Sequence, residues 1–262
     1  MNSYSEKIHI RNVRKVFGKG AKQVVALDDV NLDIPENKFT TIVGPSGCGK
    51  STLLYMLAGF EKPTGGEMYL NGKPIDRPAP DRGFVFQDFA LFPWRTVLGN
   101  VTFGLTSNGY SKRDARERAM QYITMVNLAG FEHAYPHTLS GGMKQRVAIA
   151  RALAYDPEVL LMDEPFGALD AQTRKYMQKE LVNIWSELNK TVVFVTHSVI
   201  EAVHLADIIV VMTARPGKVK GIVTADIPRP RESTGNEFLA LRKKVLDLLE
   251  EEVRKEIKMD NL

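Results

Sequence analysis

The segment Gly44–Ser51, with the sequence GPSGCGKS, has the residue types that bind the phosphates of a nucleotide. It fits the pattern G-x-x-x-x-G-K-S/T, whose glycines let the backbone curl so that successive N–H groups face an anion. In this pattern Lys50 reaches the β- and γ-phosphates and Ser51 binds Mg²⁺. The predicted phosphate-binding residues are Gly44, Pro45, Ser46, Gly47, Cys48, Gly49, Lys50, Ser51 and Thr52.

A second segment, Val159–Glu164, is an apolar run that ends in two carboxylates. Parallel sheets bind ligands where their strands end, at the carboxyl edge. We expect Asp163 to support Mg²⁺ through a water molecule, and Glu164 to face the γ-phosphate and polarise the attacking water. Two adjacent carboxylates favour hydrolysis. A GTPase is disfavoured, because the chain contains no Asn-Lys-x-Asp motif.

A third segment, Leu139–Gln145, has the sequence LSGGMKQ. A serine followed by two glycines opens an apolar helical pattern, which predicts a second helix N-terminus able to bind an anion. The alternative is a glycine hinge in front of an ordinary capped helix.

Predicted strands and helices position these segments. The predicted strands are residues 8–17, 24–34, 39–43, 67–70, 83–87, 158–162, 191–196 and 207–212. The predicted helices are residues 50–58, 173–189 and 198–206, with helical structure from about 89 to 153 that includes a start at Ser111. Ser198 and Glu201 form a predicted capping box. Strands alternating with helices predict a parallel sheet flanked by helices.

The end of the chain has a linker composition from Pro228, followed by apolar residues at helical spacing. These are Phe238, Leu241, Val245, Leu248, Leu249 and Val253. We predict a helix that packs on the surface of its own domain, with a subunit or regulatory contact as the alternative.

The composition is that of a globular protein with a small excess of positive charge. The 262 residues are 44% hydrophobic and carry a net charge of +4. No basic block is interleaved with aromatics, so we expect no nucleic-acid partner. No apolar run approaches the roughly 18 residues that span a bilayer, and we expect a soluble, cytosolic protein. The single cysteine, Cys48, excludes an internal disulfide and is interpreted as a small spacer.

Residues 7 to about 225 resemble the ATPase subunit of an ABC transporter. Residues 139–153, LSGGMKQRVAIARAL, are similar to the signature motif of that family, with Met143 in place of the usual glutamine. The resemblance implies an α/β fold, with a P-loop NTPase core containing a parallel sheet, an N-terminal antiparallel β subdomain and an inserted helical subdomain at about residues 89–153. The ATPase domain would span residues 1–228, and residues 229–262 would form a short helical tail.

Further motifs match the family in order and spacing, and the resemblance implies their roles. Gln87, in the sequence FVFQD, would form the glutamine loop and support Mg²⁺. Asp170 would lie in a loop at the dimer seam, and His197 would contact the γ-phosphate. Phe17 would stack on adenine.

The resemblance also implies partners. Two copies, or a pair of ATPase subunits, would face each other head to tail with ATP and Mg²⁺ between them. The residues contacting the ATP of the other copy would be Ser140, Gly141, Gly142 and Met143. Integral-membrane permease subunits, and indirectly a substrate-binding protein, would complete the assembly. The chain would then lie at the cytoplasmic face of the inner membrane as a peripheral protein.

Residues 78–105 narrow the resemblance to one branch of importers. The run D-R-G-x-V-F-Q followed by L-x-P-W-x-T-V, which contains Trp94, resembles the branch serving nitrate, sulfonate and taurine import, and so do residues 214–231. Related branches that import thiamine precursors or aromatic acids remain alternatives. A DNA-repair or chromosome ATPase is disfavoured, because the segment between Lys50 and Ser140 holds no coiled-coil insertion. A translation-type ABC protein is also disfavoured, because it would carry two such domains in one chain and only one is found here.

Overall fold

The computed structural model describes residues 5–260 of the chain. The strands are β1 (Glu6–Phe17), β2 (Val24–Pro35), β3 (Phe39–Val43), β4 (Gly65–Leu70), β5 (Lys73–Pro74), β6 (Arg82–Val85), β7 (Val159–Asp163), β8 (Thr191–Thr196), β9 (Ile208–Met212) and β10 (Val219–Thr224). The α-helices are α1 (Lys50–Ala58), α2 (Val97–Ser107), α3 (Lys112–Met125), α4 (Gly141–Leu153), α5 (Ala171–Leu188), α6 (Val199–Leu205) and α7 (Asn236–Asp260). They fall into two compact units: the first is Met1–Ala79 with Thr191–Leu262, and the second is Pro80–Lys190.

The first unit contains a sheet in which β3 runs parallel to both β8 and β9, and β10 pairs with β9 antiparallel. Every residue of β3 and β8 is buried. Strands covered on both faces are rich in apolar residues. Strand β8 has an apolar run at residues 192–195, whereas β3 also buries the hydroxyl side chains of Thr40 and Thr41. The rings of Phe39 in β3 and Phe194 in β8 pack against each other, with centroids 5.8 Å apart. The parallel strands agree with the sequence prediction, whereas β10 was not predicted.

A separate antiparallel sheet in the first unit has the strand order β2-β1-β4-β5. Its longest strands, β1 and β2, bury alternate apolar residues such as Ile8 and Ile10. The register shifts along this pair, and Asn12 and Asp29 adopt φ values of 48° and 50°. The Asn12 side-chain amide donates to the Asp29 carboxylate at 3.0 Å. The antiparallel β subdomain expected from the resemblance is therefore present.

The tail helix α7 packs on the first unit through one apolar stripe. Phe238, Leu241, Val245 and Leu249 are buried in a cluster with residues of α6, β9 and β10. The Phe238 ring lies 4.7 Å from the His204 ring, between centroids. The predicted packing of the tail on its own domain is confirmed for these residues. The side chain of Val253 lies outside the described part of the helix.

The second unit consists of the parallel pair β6 and β7 with helices α2 to α5. Helices α2, α3 and α4 pack on one another. A Cβ added at Gly104 would lie 1.1 Å from the Tyr155 hydroxyl oxygen, so only glycine fits there. Ser111 caps α3 by accepting the Asp114 N–H at 3.1 Å, which confirms the predicted helix start. Thr96 caps α2 in the same way through the Gly99 N–H.

The predicted capping box of α6 includes a third residue. Ser198 Oγ accepts the Glu201 N–H at 3.3 Å, as the pattern requires. The Thr196 hydroxyl donates to the Glu201 carboxylate and accepts the Ser198 N–H at 3.0 Å. Thr196, the last residue of β8, therefore links the two ends of the box and fixes the turn between strand and helix.

Candidate functional site

The predicted phosphate-binding segment Gly44–Ser51, here called the phosphate loop, lies between β3 and the first turn of α1 in the first unit. Gly47 and Gly49 have φ values of 68° and 99°, which residues with a Cβ rarely adopt. Gly49 is the N-cap of α1 and offers no side chain to its first N–H groups. An anion can therefore serve as the cap, as it does at other helix N-termini. The turn predicted from the glycines is present.

Lys50 folds over the loop that precedes it. Its side chain is buried, and Nζ donates to the carbonyl oxygens of Gly44 at 2.9 Å and Pro45 at 2.8 Å. Nζ also lies 3.8 Å from Sγ of Cys48, which is fully buried. Phosphate oxygens are stronger acceptors than carbonyls because they carry charge. A bound nucleotide can therefore compete for the ammonium group at short range.

His197 is placed beside the phosphate loop by strand register. Val43 and Thr196 are partners in the parallel pair of β3 and β8. Gly44 and His197 are the next residues, so both leave the sheet at the same edge. His197 is exposed there. The first unit thus brings together two segments that are far apart in sequence.

Three further predicted residues of the first unit are at least partly exposed. Phe17 ends β1 with 41% of its surface exposed, and Lys15 Nζ lies 5.0 Å from its ring centre. Ser51 and Thr52 lie in the first turn of α1 and are partly exposed. These residues place an exposed ring and two hydroxyl groups in the part of the first unit that contains the phosphate loop.

The carboxylates predicted to act in hydrolysis lie at the end of β7 in the second unit. Asp163 is buried, and Glu164 has a φ of 41°, a strained value for a residue with a side chain. A Cβ added at Gly167 would lie 3.3 Å from the Glu164 carbonyl oxygen and 3.5 Å from Gln87 Nε2. Gln87 therefore lies beside the turn that Glu164 begins. The structure brings these three predicted residues into one part of the second unit.

The signature segment forms a capped helix start. Ser140 is the N-cap of α4, and its Oγ accepts the Met143 N–H at 3.3 Å. A Cβ added at Gly142 would lie 2.8 Å from Thr173 Cγ2, and one at Gly141 would lie 3.2 Å from Leu169 Cδ2. The two glycines therefore also have a packing role, because they permit the close approach of α4 to the start of α5.

A cavity of about 270 Å³ adjoins the start of α4. Its walls include Ser140, Met143, Arg146 and Tyr176. The Arg146 guanidinium lies 5.1 Å from the centre of the Tyr176 ring. A concave surface that carries a helix N-terminus and a cation can accept an anionic group from outside the second unit.

Asp170 is the N-cap of α5. Its carboxylate accepts the N–H groups of Gln172 at 3.1 Å and Thr173 at 3.0 Å. Hydrogen bonding, first with the Thr173 side chain and then with its backbone, lowers the pKa of Asp170 below the ordinary value. This cap also explains why α5 begins at Ala171, two residues before the predicted start.

Arg151 in α4 was not recognised from the sequence. Its guanidinium donates to the carbonyl oxygen of Phe89 at 2.9 Å and also to that of Ala90. Those two residues have φ values of 59° and 48°. Burial lowers the pKa of Arg151. Arg151 therefore connects the segment that follows Gln87 to α4, the helix that begins in the signature motif and is here called the signature helix. A local sequence pattern does not predict this long-range contact.

Comparison with known proteins establishes the family. The ABC transporter family pattern matches residues 27–167 of the chain. The chain belongs to the ABC transporter family. Members of this family hydrolyse ATP to drive transport, so the chain is an ATPase subunit.

Individual ABC proteins are similar over almost the whole length. An uncharacterized ABC transporter ATP-binding protein of Methanocaldococcus jannaschii is 56% identical over 96% of this chain and 94% of its own length. An aliphatic sulfonates import ATP-binding protein, SsuB, of Bacillus cereus is 44% identical over 93% of this chain and 96% of its own length.

A solved structure confirms the fold class. It is described as a dimeric post-hydrolysis state of an ATP-binding cassette bound to ADP and Pi, and it matches with a TM-score of 0.73 and 36% identity. The match covers 84% of this chain and 100% of that chain. Within residues 5–260, no helix is long and apolar enough to cross a membrane.

Proposed function

We propose that the chain is the ATP-hydrolysing subunit of an importer for a small sulfonate or a related anion such as nitrate or taurine. The observation that carries the proposal is the nearly full-length similarity to a protein named for aliphatic sulfonate import. The pattern of residues 78–105 supports the same branch. The alternative is an importer of a thiamine precursor or an aromatic acid, because related branches resemble this one.

Binding of ATP would begin with Lys50. Its ammonium would exchange the carbonyl oxygens of Gly44 and Pro45 for the β- and γ-phosphates, which are stronger acceptors. The backbone N–H groups of the phosphate loop and the start of α1 would hold the other phosphate oxygens. The exposed ring of Phe17 would stack on adenine.

Mg²⁺ would accompany the bound ATP, and the chemistry of three predicted residues suits this ion. Ser51 offers a hydroxyl, Gln87 an amide oxygen and Asp163 a carboxylate acting through water, and Mg²⁺ prefers such oxygen ligands. When bound, Mg²⁺ would neutralise charge that develops on the phosphates.

Hydrolysis would depend on positioning and electrostatics. Glu164 would accept a hydrogen bond from the attacking water and orient it toward the γ-phosphate. Its left-handed backbone conformation supports this role, because strain of this kind concentrates at functional sites. His197 would contact the γ-phosphate from the end of β8, next to the strand that leads into the phosphate loop.

The site would be completed by a second copy or a paired ATPase subunit. Ser140, the N–H groups of Gly141 and Gly142, and Met143 would meet the γ-phosphate of the ATP held by the partner. The capped start of α4 and the cavity beside it support this proposal, because they form a surface suited to an anion. Asp170 would lie at the seam between the copies.

Membrane permease subunits would be the direct partners in transport. Trp94 is 71% exposed, and its ring lies 5.7 Å from that of Phe92, which packs 4.6 Å from Phe103. Exposed aromatic groups of this kind are enriched at protein–protein contacts. The chain would then lie peripherally at the cytoplasmic face of the inner membrane, and a substrate-binding protein would act on it through the permease.

The test is to purify the chain from its native membranes and identify what remains bound. We expect a multi-helix permease. The complex, reconstituted in lipid nanodiscs with its binding protein, should hydrolyse ATP faster when alkanesulfonates, taurine or nitrate are added. A matched complex carrying Glu164→Gln controls for contaminating ATPases. Stimulation only by a thiamine precursor or an aromatic acid would overturn the substrate proposal, and co-purification of ribosomes or DNA would overturn the importer.

A further inference from the structure

The segment Thr213–Lys218, here called the 213–218 loop, packs against the phosphate loop. Arg215 Nε donates to the Gly47 carbonyl oxygen at 3.2 Å. A Cβ added at Gly217 would lie 2.0 Å from the Cys48 carbonyl oxygen, so the backbones of these two residues are in close contact. Two successive carbonyl groups of the phosphate loop therefore face the 213–218 loop.

This contact fixes the direction of N–H groups that matter for phosphate binding. In a trans peptide unit the C=O and the following N–H point in opposite directions. With the carbonyls of Gly47 and Cys48 turned toward the 213–218 loop, the N–H groups of Cys48 and Gly49 point away from it. Successive N–H groups aligned in this way form an anion-binding nest. The 213–218 loop thus orients part of the phosphate cradle from behind.

The 213–218 loop is itself held on β2. The Gly217 N–H donates to the Ala26 carbonyl at 2.9 Å, and the Gly217 carbonyl accepts the Asp28 N–H at 3.1 Å. Lys218 Nζ lies 2.7 Å from the Asp28 carboxylate. These bonds hold the 213–218 loop in place beside Gly47 and Cys48.

The tail helix α7 holds the 213–218 loop from another side. Glu252 is 2% exposed, and one of its carboxylate oxygens accepts the Ala214 N–H at 3.0 Å. The other oxygen accepts Lys220 Nζ at 2.8 Å. A buried carboxylate is tolerated when its oxygens are hydrogen-bonded and its charge is paired, as they are here. Glu252 therefore fixes the residue that precedes Arg215.

We propose that Glu252 and Arg215 are positioning residues, through which the tail helix sets the affinity of the phosphate loop for ATP. Glu252 holds Ala214, the adjacent Arg215 holds the Gly47 carbonyl, and the N–H groups of Cys48 and Gly49 face the phosphates. The proposal rests on the proposed role of Gly44–Thr52 in ATP binding.

The test measures the affinity of the full-length chain for a fluorescent ATP analogue, together with the thermal midpoint. Glu252→Ala and Arg215→Ala should each weaken binding about three- to tenfold, the range expected for the loss of one hydrogen bond that fixes the loop. Glu251→Ala is the matched control. Glu251 is exposed and also pairs with Lys220, at 2.7 Å, whereas the Ala214 N–H donates to Glu252.

A double-mutant cycle separates positioning from general stability. If Glu252 acts through Arg215, the double variant should bind about as weakly as the weaker single variant. Glu251→Ala should add nothing to Arg215→Ala. Wild-type affinity in Arg215→Ala would overturn the proposal even if Glu252→Ala failed to fold, and so would fully additive effects. Failure of the wild type to bind, or unchanged binding by Lys50→Ala, would instead overturn the proposed ATP site together with this inference.

Discussion

Val43 and Thr196 lie side by side in the register of β3 and β8. One residue later the first strand enters the phosphate loop, and the second reaches His197. The parallel direction of the strands makes this proximity possible, since an antiparallel pairing would place the two segments at opposite edges of the sheet. The parallel pairing thus places His197 beside the predicted phosphate loop, although the two segments lie about 150 residues apart in sequence.

Glu164→Gln should retain ATP binding and lose hydrolysis. Glutamine has nearly the same shape but is a poor acceptor for a proton from water, so turnover should fall by about 100-fold or more. The bound ATP, which is not hydrolysed, should then hold two copies together. Size-exclusion chromatography in the presence of ATP can detect this dimer. Glu158→Gln makes the same change at the residue that directly precedes β7, and it should leave ATP binding and hydrolysis unchanged. Wild-type turnover by a clean preparation of Glu164→Gln would contradict the role of Glu164.

Two substitutions at Ser140 separate its cap from its proposed contact with ATP. Ser140→Ala removes the acceptor for the Met143 N–H and should lower the free energy of unfolding by about 1 kcal/mol. Ser140→Asp keeps an N-cap acceptor but adds a negative charge where the partner's γ-phosphate would lie. We expect Ser140→Asp to match the wild type in urea unfolding and to lose at least about tenfold in ATPase rate. Retention of full activity by Ser140→Asp would argue for a purely structural serine.

The cap at Asp170 should make a pH-dependent contribution to stability. Hydrogen bonds with Thr173 lower the pKa of Asp170 in the folded state. The contribution of the cap to stability is therefore complete above the pKa of an unfolded aspartate, about 4, and is lost as the pH falls through the lower pKa of the folded state. Asp170→Asn keeps a neutral capping group. The thermal midpoint of the wild type minus that of this variant should decrease as the pH is lowered from about 6 to about 3, on either side of the unfolded pKa. A constant difference would contradict the interpretation.

Arg231 should be important for stability. Its buried guanidinium donates to four backbone carbonyls, those of Val203, Ala206, Ala225 and Ile227. Burial lowers its pKa to about 10. Arg231→Met would leave these carbonyls without their donor and should lower the free energy of unfolding by about 2–4 kcal/mol, measured by urea denaturation. Arg254→Met, at an exposed position of α7, should change it by less than about 0.5 kcal/mol.

Local sequence patterns predicted the elements that carry their own signals. Helix α1 has the bounds expected from the phosphate-loop pattern, and Ser111 caps α3 as predicted. Strand β10 was missed because a strand at the edge of the sheet, exposed at Ile222, lacks a continuous apolar run. The start of α5 was placed too late because the cap at Asp170 was not recognised.

Contacts between distant segments could not be predicted from these patterns. The hydrogen bonds from Arg151 to the Phe89 carbonyl and from the Ala214 N–H to Glu252 depend on how complete elements pack. In sequence, each of these charged residues is an ordinary helix residue. The same holds for Arg215, whose contact with Gly47 depends on the turn between β9 and β10. Residue types and spacing thus predicted phosphate binding. The long-range contacts that hold the predicted segments in place could be identified only in the folded chain.

The central claim is that the phosphate loop of one copy and the signature helix of another form each ATP site. Lys50→Ala and Ser140→Asp should each be nearly inactive alone, because they damage opposite halves of the site. In an equal mixture about half of the dimers combine the two variants, and each such dimer retains one intact site of two. The ATPase rate of the mixture should therefore recover to about a quarter of the wild-type rate. A mixture as inactive as its components, or full activity of the wild type at dilutions where it is monomeric, would contradict the claim.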